Sequence, residues 1–433
     1  MAKREMHLGV FVLGTGNHSA GWRYDGAATS NNQLPVIQEI ARTAERGKFD
    51  LLFVSDGLVM NPGDHPSFLC RFEPTTLISV LSAITTHLGL GATVSTSYSE
   101  PFNVARIFGS IDHISNGRAA WNVVTSTAPL AALNFSREQH MEHEHRYEVA
   151  NEFVDVVKGL WDCWDDGAIV ADKTTGQFID AAKVRALNHE GRFFQVKGPI
   201  NMARSPQGHP VIIQAGGSPS GLELAARSAD VVFSVVQELE SAKAEYADLK
   251  GRLVKHGRAP DQLAVLPGVM PILGDTEAEA KAKLSRLQSW LTPTNALVLV
   301  SSRLGYDVSG HPLDGPVPEP PIGEGTRTFS RVLYETARRD NMTLRNLYNL
   351  TAAARGHWVL CGTPRHIADT LEEWFVGGAA DGFNILPPYF PGAFDDFVDL
   401  VVPELQRRSL FRQDYEGTTL RDHFGLPRVA RPS

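Results

Sequence analysis

Short apolar runs rich in β-branched residues alternate with amphipathic stretches along most of this chain, and that alternation restricts the fold more than any other feature. Leu8–Leu13 reads as a buried strand, and Val36, Ile37, Ile40, Ala41 and Ala44 then mark one face of a helix that stops at Gly47. Phe49–Val54, Leu88–Val94 and Ala119–Val124 are further strands, separated by helix faces at Leu77, Val80, Leu81 and Ile84 and at Val104, Ile107, Phe108, Ile111 and Ile114. After a helix with Val149, Phe153, Val156, Leu160 and Trp161 on one face, strands follow at Pro210–Gln214, Asp230–Ser234, Leu263–Ile272 and Asp381–Leu386. Near-continuous apolar strands joined by amphipathic helices are what a parallel sheet covered on its outer face requires. Eight such strands predict a (β/α)8 barrel. The last unit is punctuated most clearly: Thr363 suits the cap, Pro364 the first helical position, and Gly377-Gly378 the stop.

The 433 residues are read as one barrel domain with two insertions, about 165–207 and 291–357, and a C-terminal extension, about 388–433. The second insertion contains Pro316-Val-Pro-Glu-Pro-Pro321, falls between strand seven and helix seven, and is placed to act as a lid. Lysine and arginine total 41 against 49 aspartates and glutamates, a net charge of −8 without a basic block, which argues against nucleic acid as a partner. Cys70, Cys163 and Cys361 lie far apart, with no zinc or disulfide spacing, and fit a reducing cytoplasm. No run is long enough to span a membrane, and the N-terminus does not read as a secretory signal.

In a barrel of this kind the site lies at the C-terminal ends of the strands. The residues to weigh are therefore Asp56, Thr96, Asn122, Thr125 and the Gly216-Gly217-Ser218 turn. The turn follows Val211-Ile-Ile-Gln214 and precedes Leu222-Glu-Leu-Ala-Ala-Arg227, so free N–H groups at a helix start offer an anion site, although a plain loop with a serine cap has the same composition. Asn122 is the most specific of the others, because an amide inside an apolar strand needs partners. His140, His143 and His145 with Glu142 and Glu144 suggest a metal, but Arg146 stands close by and no further ligand is evident. Gly14-Thr-Gly16 lacks the third glycine of a dinucleotide loop.

Longer motifs carry a resemblance. Ser115-Asn-Gly-Arg-Ala-Ala-Trp-Asn-Val-Val-Thr-Ser126, Glu142-His-Glu-His-Arg-Tyr147, Ser205-Pro-Gln-Gly-His-Pro-Val-Ile-Ile-Gln-Ala-Gly-Gly-Ser218, Gly377-Gly-Ala-Ala-Asp-Gly-Phe-Asn384 and Tyr415-Glu-Gly-Thr-Thr-Leu-Arg-Asp-His-Phe-Gly-Leu426 are similar to the bacterial-luciferase-like flavin monooxygenases, in the nitrilotriacetate and dibenzothiophene-sulfone group. The resemblance implies reduced FMN delivered by a separate NAD(P)H:flavin reductase, reaction with O2 to a C4a-(hydro)peroxyflavin, and assembly as a homodimer or homotetramer. It places Asp56, Thr96, Asn122, His143, Tyr147, Gly217 and Ser218 at FMN, with Ser218 and neighbouring N–H groups on the phosphate and Asp56, Thr96 and Asn122 facing the ring system.

His18 and His357 are candidates to hydrogen-bond peroxide or substrate, and each also fits a core histidine satisfied by its neighbours. The Arg355-Gly-His-Trp, Leu386-Pro-Pro-Tyr and Ala203-Arg-Ser-Pro-Gln-Gly-His-Pro stretches resemble the aminopolycarboxylate branch, implying oxidation beside an amine nitrogen and C–N cleavage. Arg303 stands where the sulfone branch has a histidine and suits a substrate carboxylate. The alternatives are a sulfone or alkane monooxygenase of the same family, a deazaflavin-dependent oxidoreductase, and a flavin-binding protein without catalysis.

Overall fold

The computed structural model describes residues 4–62, 64–320 and 328–430, without the side chains of 295, 296, 302, 303 and 328–332. Eight parallel strands close a barrel: β1 (His7–Val12), β2 (Leu51–Val54), β3 (Gly89–Ser95), β4 (Ala119–Val124), β5 (Val211–Gln214), β6 (Val231–Ser234), β7 (Ala264–Leu273) and, last in the chain, β9 (Gly382–Ile385). β9 pairs back onto β1 with Leu8 opposite Phe383 and Val10 opposite Ile385, so no barrel edge is left open.

Side-chain alternation explains why these runs form a barrel. Leu8, Val10, Val12, Leu52 and Val54 point outward into the core beneath the helices. Phe11, Leu51, Phe53, Ile213, Phe233 and Met270 point inward and fill the interior. The Phe11 and Phe53 rings stack at 5.1 Å, and Phe53 meets Phe233 at 4.8 Å.

Around the barrel run α1 (Leu34–Arg46), α2 (Pro74–Ser82), α3 (Pro101–Ile114), α4 (His143–Trp161), α5 (Pro219–Ser228), α6 (Leu239–Leu253) and α7 (Glu277–Ser289). The second insertion forms α8 (Pro293–Leu304), α9 (Thr328–Arg339) and α10 (Leu344–Ala354), which share a small core of Val300, Leu304, Val308, Leu333, Leu344 and Leu347. It does fall between β7 and the helix α11 (Pro364–Val376), whose Thr363 cap accepts from the His366 N–H as expected. The sequence reading named no elements within the insertions and no α6, and two further elements around β7 lie outside it. One is α7, which precedes the insertion. The other is a ninth parallel strand, β8 (Trp358–Gly362), which pairs with Val269–Leu273. β7 has ten residues, so its first half serves β6 and β9 while its second half runs on and finds β8.

The C-terminal segment plugs the opposite, N-terminal end of the barrel. Leu420, Phe424 and Leu426 join the interior cluster, and Leu420 lies 2.3 Å from where a β-carbon on Gly89 would stand, so only glycine fits there. Two buried ion pairs fasten the plug: Arg412 to Asp50, and Arg421 Nη2 to Asp230 Oδ2 at 2.8 Å. Removing one partner of such a pair strands the other charge in the interior. Arg421→Met is therefore expected to lower unfolding free energy by about 3–5 kcal/mol in chemical denaturation; a loss below about 1 kcal/mol would show that the plug does not depend on this pair.

Candidate functional site

The site builds up from the C-terminal ends of β2 to β5. Just past β2, the Asp56 carboxylate accepts from the Gly57 N–H at 2.8 Å and lies 3.8 Å from Arg71. Burial outweighs these contacts and raises its pKa. Thr96, past β3, donates its hydroxyl to the Val124 carbonyl at 3.2 Å. Within β4, Asn122 donates its amide to Thr93 Oγ1 at 2.9 Å. Its Oδ1 is buried and has no hydrogen-bond partner among the described residues, which marks a place for a donor from outside the chain.

Past β5 the chain turns through Gly216, Gly217 and Ser218 into α5. Ser218 caps the helix, accepting from the Gly221 N–H at 3.1 Å, and keeps its own hydroxyl proton to donate. Gln214 Oε1 accepts from the Gly216 N–H at 2.6 Å and pins the turn. A β-carbon on Gly216 would stand 2.6 Å from Gln214 Nε2 and 2.9 Å from Tyr147 Oη, whereas one on Gly217 would meet nothing within 4 Å. The turn is thus closed below by Gln214 and Tyr147 and open above at Gly217. The start of α4 leans on the same place: the His143 and Tyr147 rings lie 5.0 Å apart, and Ser220 donates to Glu144 Oε2 at 2.8 Å.

The histidines of this region go to separate partners. His140 Nδ1 meets the Tyr98 hydroxyl at 2.6 Å, His143 pairs with Glu144 at 3.0 Å, and His145 with Glu148 at 3.3 Å. No group of three or more potential ligands is gathered for a metal among the described residues.

His18 is 1 % exposed, and its Nδ1 accepts the Ala20 N–H at 3.0 Å. Burial pushes its pKa down to about 3, so the ring is neutral and carries its proton on Nε2. That Nε2 is buried with no partner among the described residues. His357 follows α10, and its ring occupies the space of an absent side chain at Gly268 of β7, 2.2 Å from where the β-carbon would be. Arg303 is on α8, and its side chain lies outside the described residues.

The sequence pattern of luciferase-like monooxygenases matches residues 6–381. The chain belongs to that family. It is 49% identical to N-acetyl-S-(2-succino)cysteine monooxygenase of Bacillus subtilis (strain 168), over 98% of this chain and 97% of that one. To nitrilotriacetate monooxygenase component A of Aminobacter aminovorans it is 46% identical over the whole of both. Among solved structures, EDTA monooxygenase from Chelativorans sp. BNC1 superposes with a TM-score of 0.83 at 32% identity, covering 98% of this chain and 99% of that one. Riboflavin lyase with modified FMN and riboflavin superposes with a TM-score of 0.87 at 29% identity, covering 97% and 96%. The expectation of a flavin-dependent monooxygenase on a luciferase-like barrel holds.

Three residues at the mouth carry no role in the sequence reading. Gln214, which shapes the turn, is visible in retrospect as an amide closing a β-branched run. Asn17 is fully buried and donates to the Phe11 and Pro387 carbonyls at 3.1 and 3.3 Å. Its Oδ1 accepts from Arg355 Nη2 at 2.8 Å, and the Arg355 guanidinium lies over the Phe11 ring at 4.6 Å. That contact joins residues 338 positions apart, so no local signal announces it.

These groups suit a flavin mononucleotide: an open, glycine-lined helix start for the phosphate, and a buried acceptor at Asn122 and a buried donor at His18 for polar atoms of a ring. The buried His18 also makes a stability prediction. An unfolded imidazole takes up its proton near pH 6.5 and this one only near 3, so stability is full above 6.5 and is lost as pH falls through that window. Replacing His18 by Gln should remove about 2 kcal/mol of the stability lost between pH 6.5 and 5, measured by urea unfolding at both pH values. Equal losses in the two proteins would mean that the ring is not held neutral.

Proposed function

We propose that this chain is the oxygenase component of a two-component FMN-dependent monooxygenase, taking reduced FMN from a separate NAD(P)H:flavin reductase and placing one atom of O2 on a small organic substrate. The observation that carries this reading is the pairing of the open Gly217 turn at the start of α5 with the unpartnered buried oxygen of Asn122. Reduced FMN supplies the electrons that activate O2 at the mouth. Ser218 and the N–H groups of the turn hold its phosphate, with His143 and Tyr147 flanking. Asp56, Thr96 and Asn122 face the ring system, and His18 offers its Nε2 proton as a hydrogen-bond donor beside the reacting atoms. The α8–α10 insertion serves as a lid that keeps water from the mouth. His357, at its return to the barrel, faces the substrate.

The related enzymes point to a substrate class. Nitrilotriacetate and N-acetyl-S-(2-succino)cysteine both carry carboxylates on a carbon bonded to nitrogen or sulfur. Oxidation of that carbon and cleavage of the C–N or C–S bond is the reaction we assign. Arg303 on the lid is a proposed carboxylate contact. Among the described residues no helix is long and apolar enough to cross a membrane, and we place the protein in the cytoplasm as a homodimer or homotetramer.

Two measurements test the reading. Gly217→Val introduces no clash within the protein, so it should leave thermal unfolding unchanged while weakening FMN at least roughly tenfold in a fluorescence titration; unchanged FMN affinity removes the phosphate from this turn. In aerobic turnover with NADH and a flavin reductase, His18→Ala should still bind FMN but release hydrogen peroxide in place of oxygenated product. Coupled product formation at the normal rate would exclude His18 from the chemistry.

A further inference from the structure

We propose that Asn384, the inward-facing amide of β9, is a specificity-determining residue that accepts a hydrogen bond from an N–H group of the substrate. The inference rests on the functional reading above and adds to it a residue that selects the substrate. Asn384 closes the Gly377–Asn384 motif, and none of the roles assigned so far uses it. Its chain neighbours Phe383 and Ile385 lie in the core beneath the helices, so alternation along the strand turns Asn384 toward the barrel interior. The residue is 3 % exposed, and its Oδ1 is buried with no hydrogen-bond partner among the described residues.

Buried amides that hold loops together in this molecule are satisfied at both atoms. Asn17 is one, through Phe11, Pro387 and Arg355. Asn31 accepts from the Thr15 N–H at 2.9 Å and donates to the Pro66 and Leu69 carbonyls at 2.7 and 2.6 Å. Gln207 donates to the Asp112 carboxylate at 2.6 Å and the Ala119 carbonyl at 3.0 Å, and accepts from the Arg421 N–H at 3.0 Å. Asn122 and Asn384 differ, since each keeps a buried acceptor on the inner wall of the barrel. Alternate strands build the layers of such an interior, and the pairing registers put Phe53 of β2, Asn122 of β4, Phe233 of β6 and Asn384 of β9 in one layer. The two rings meet at 4.8 Å. The two amides take the remaining walls, with three strands between them either way round.

Position assigns the two amides to different ligands. Asn122 belongs to the wall below the ends of β2 to β5, which carry the groups proposed for the cofactor. Asn384 lies on the opposite wall between β1 and β7, and its register partners there are both glycines, Gly9 and Gly268. A β-carbon on Gly9 would stand 3.2 Å from Asn384 Oδ1, so β1 presents bare backbone to the amide. On the β7 side the His357 ring enters the place a Gly268 side chain would take. β1 leads into the loop that carries His18. A ring system held over the first wall therefore leaves the second to the substrate. In a dry site a free acceptor discriminates by what it is denied: a ligand with an N–H satisfies it, and one without leaves it unpaired.

The test is calorimetric titration of the FMN-loaded protein at neutral pH with two acids: N-acetyl-S-(2-succino)cysteine, whose acetamide carries one N–H, and nitrilotriacetate, whose amine is protonated. Each is compared with its N-methyl analogue, which keeps the charges and lacks that hydrogen. Wild-type protein should bind the better acid about tenfold more tightly than its analogue. Asn384→Leu should lose this preference and bind acid and analogue within about twofold of each other, with the loss for the acid appearing mainly as a raised KM in turnover. Because the substitution removes an unpaired buried acceptor and breaks no bond within the protein, thermal unfolding of the ligand-free variant should not fall. If Asn384→Leu does not fold, Asn384→Ala, which adds no bulk to the layer, decides on affinity. A wild-type protein without the preference overturns the assignment, and so does a variant that keeps it. So does wild-type protein that binds FMN but neither acid, an outcome that leaves the flavin reading standing. Weaker FMN binding in the variants with the acid preference retained would assign the amide to the cofactor and also overturns it. Failure of the wild-type protein to bind FMN is separate, because it removes the functional reading itself.

Discussion

Closure of the sheet through the β1–β9 pairing is the contact on which the rest of the molecule depends. It requires the two most distant barrel strands to lie side by side, and Gly382 permits the approach: a β-carbon there would stand 2.0 Å from the His7 carbonyl oxygen. Once closed, the ring of strands has a solid interior, with Phe11, Phe53 and Phe233 filling its upper part. The site then has to sit on top of this packed floor rather than within a pore. Asp56, Thr96 and the Gly216–Ser218 turn, the strand-end groups proposed for the cofactor, follow the C-terminal ends of β2, β3 and β5.

Buried ion pairs gather at the plugged end of the barrel and are fewer at the residues of the mouth. At the plugged end, buried charges meet buried opposite charges, as Asp50 does with Arg412 and Asp230 with Arg421, and the carboxylates are held below their usual pKa. At the mouth, Asn122 and His18 keep one buried polar atom each without a partner among the described residues, and Asp56 is pushed up instead of down. Leaving such groups unsatisfied costs stability. The ion pairs at the plugged end work in the opposite direction, although that end also keeps both ring nitrogens of His423 buried without a partner among the described residues.

Most of the fold was legible because parallel barrel strands are apolar on both faces and announce themselves as runs. The exceptions have physical causes. α7 buries only Ala280 and Leu287, so its helical face is too sparse to read. β8 is only partly buried and runs directly into the Thr363-Pro364 helix start, which hid it behind a stronger signal. For the site, strand-end polar residues and the Gly216-Gly217-Ser218 turn were readable because topology alone puts them at the mouth. The state of His18 was not, since its neutral ring and the position of its proton follow from an Ala20 contact and from complete burial. Nor was the Asn17–Arg355 bond, which exists only after the insertion folds back.

That return of the chain gives the insertion its meaning. Arg355 and Gly356 both adopt positive φ, 54° and 93°, and this sharp reversal drives the chain from α10 back into β8. Positive φ is unusual for arginine, and its cost is borne where the guanidinium is received by Asn17, Phe11 and Phe68. Two residues later His357 settles into the gap left by Gly268. The same reversal therefore attaches the insertion to the barrel and brings His357, a candidate from the sequence, against β7. Ser19 adds a third tie, donating its N–H to the Ala352 carbonyl at 3.0 Å, one residue from the buried His18. A segment anchored in this manner cannot swing freely at its C-terminal end. Movement of the insertion as the proposed lid would therefore fall on α8 and α9, with His357 staying against Gly268 and Ala352 staying tied to Ser19 beside His18.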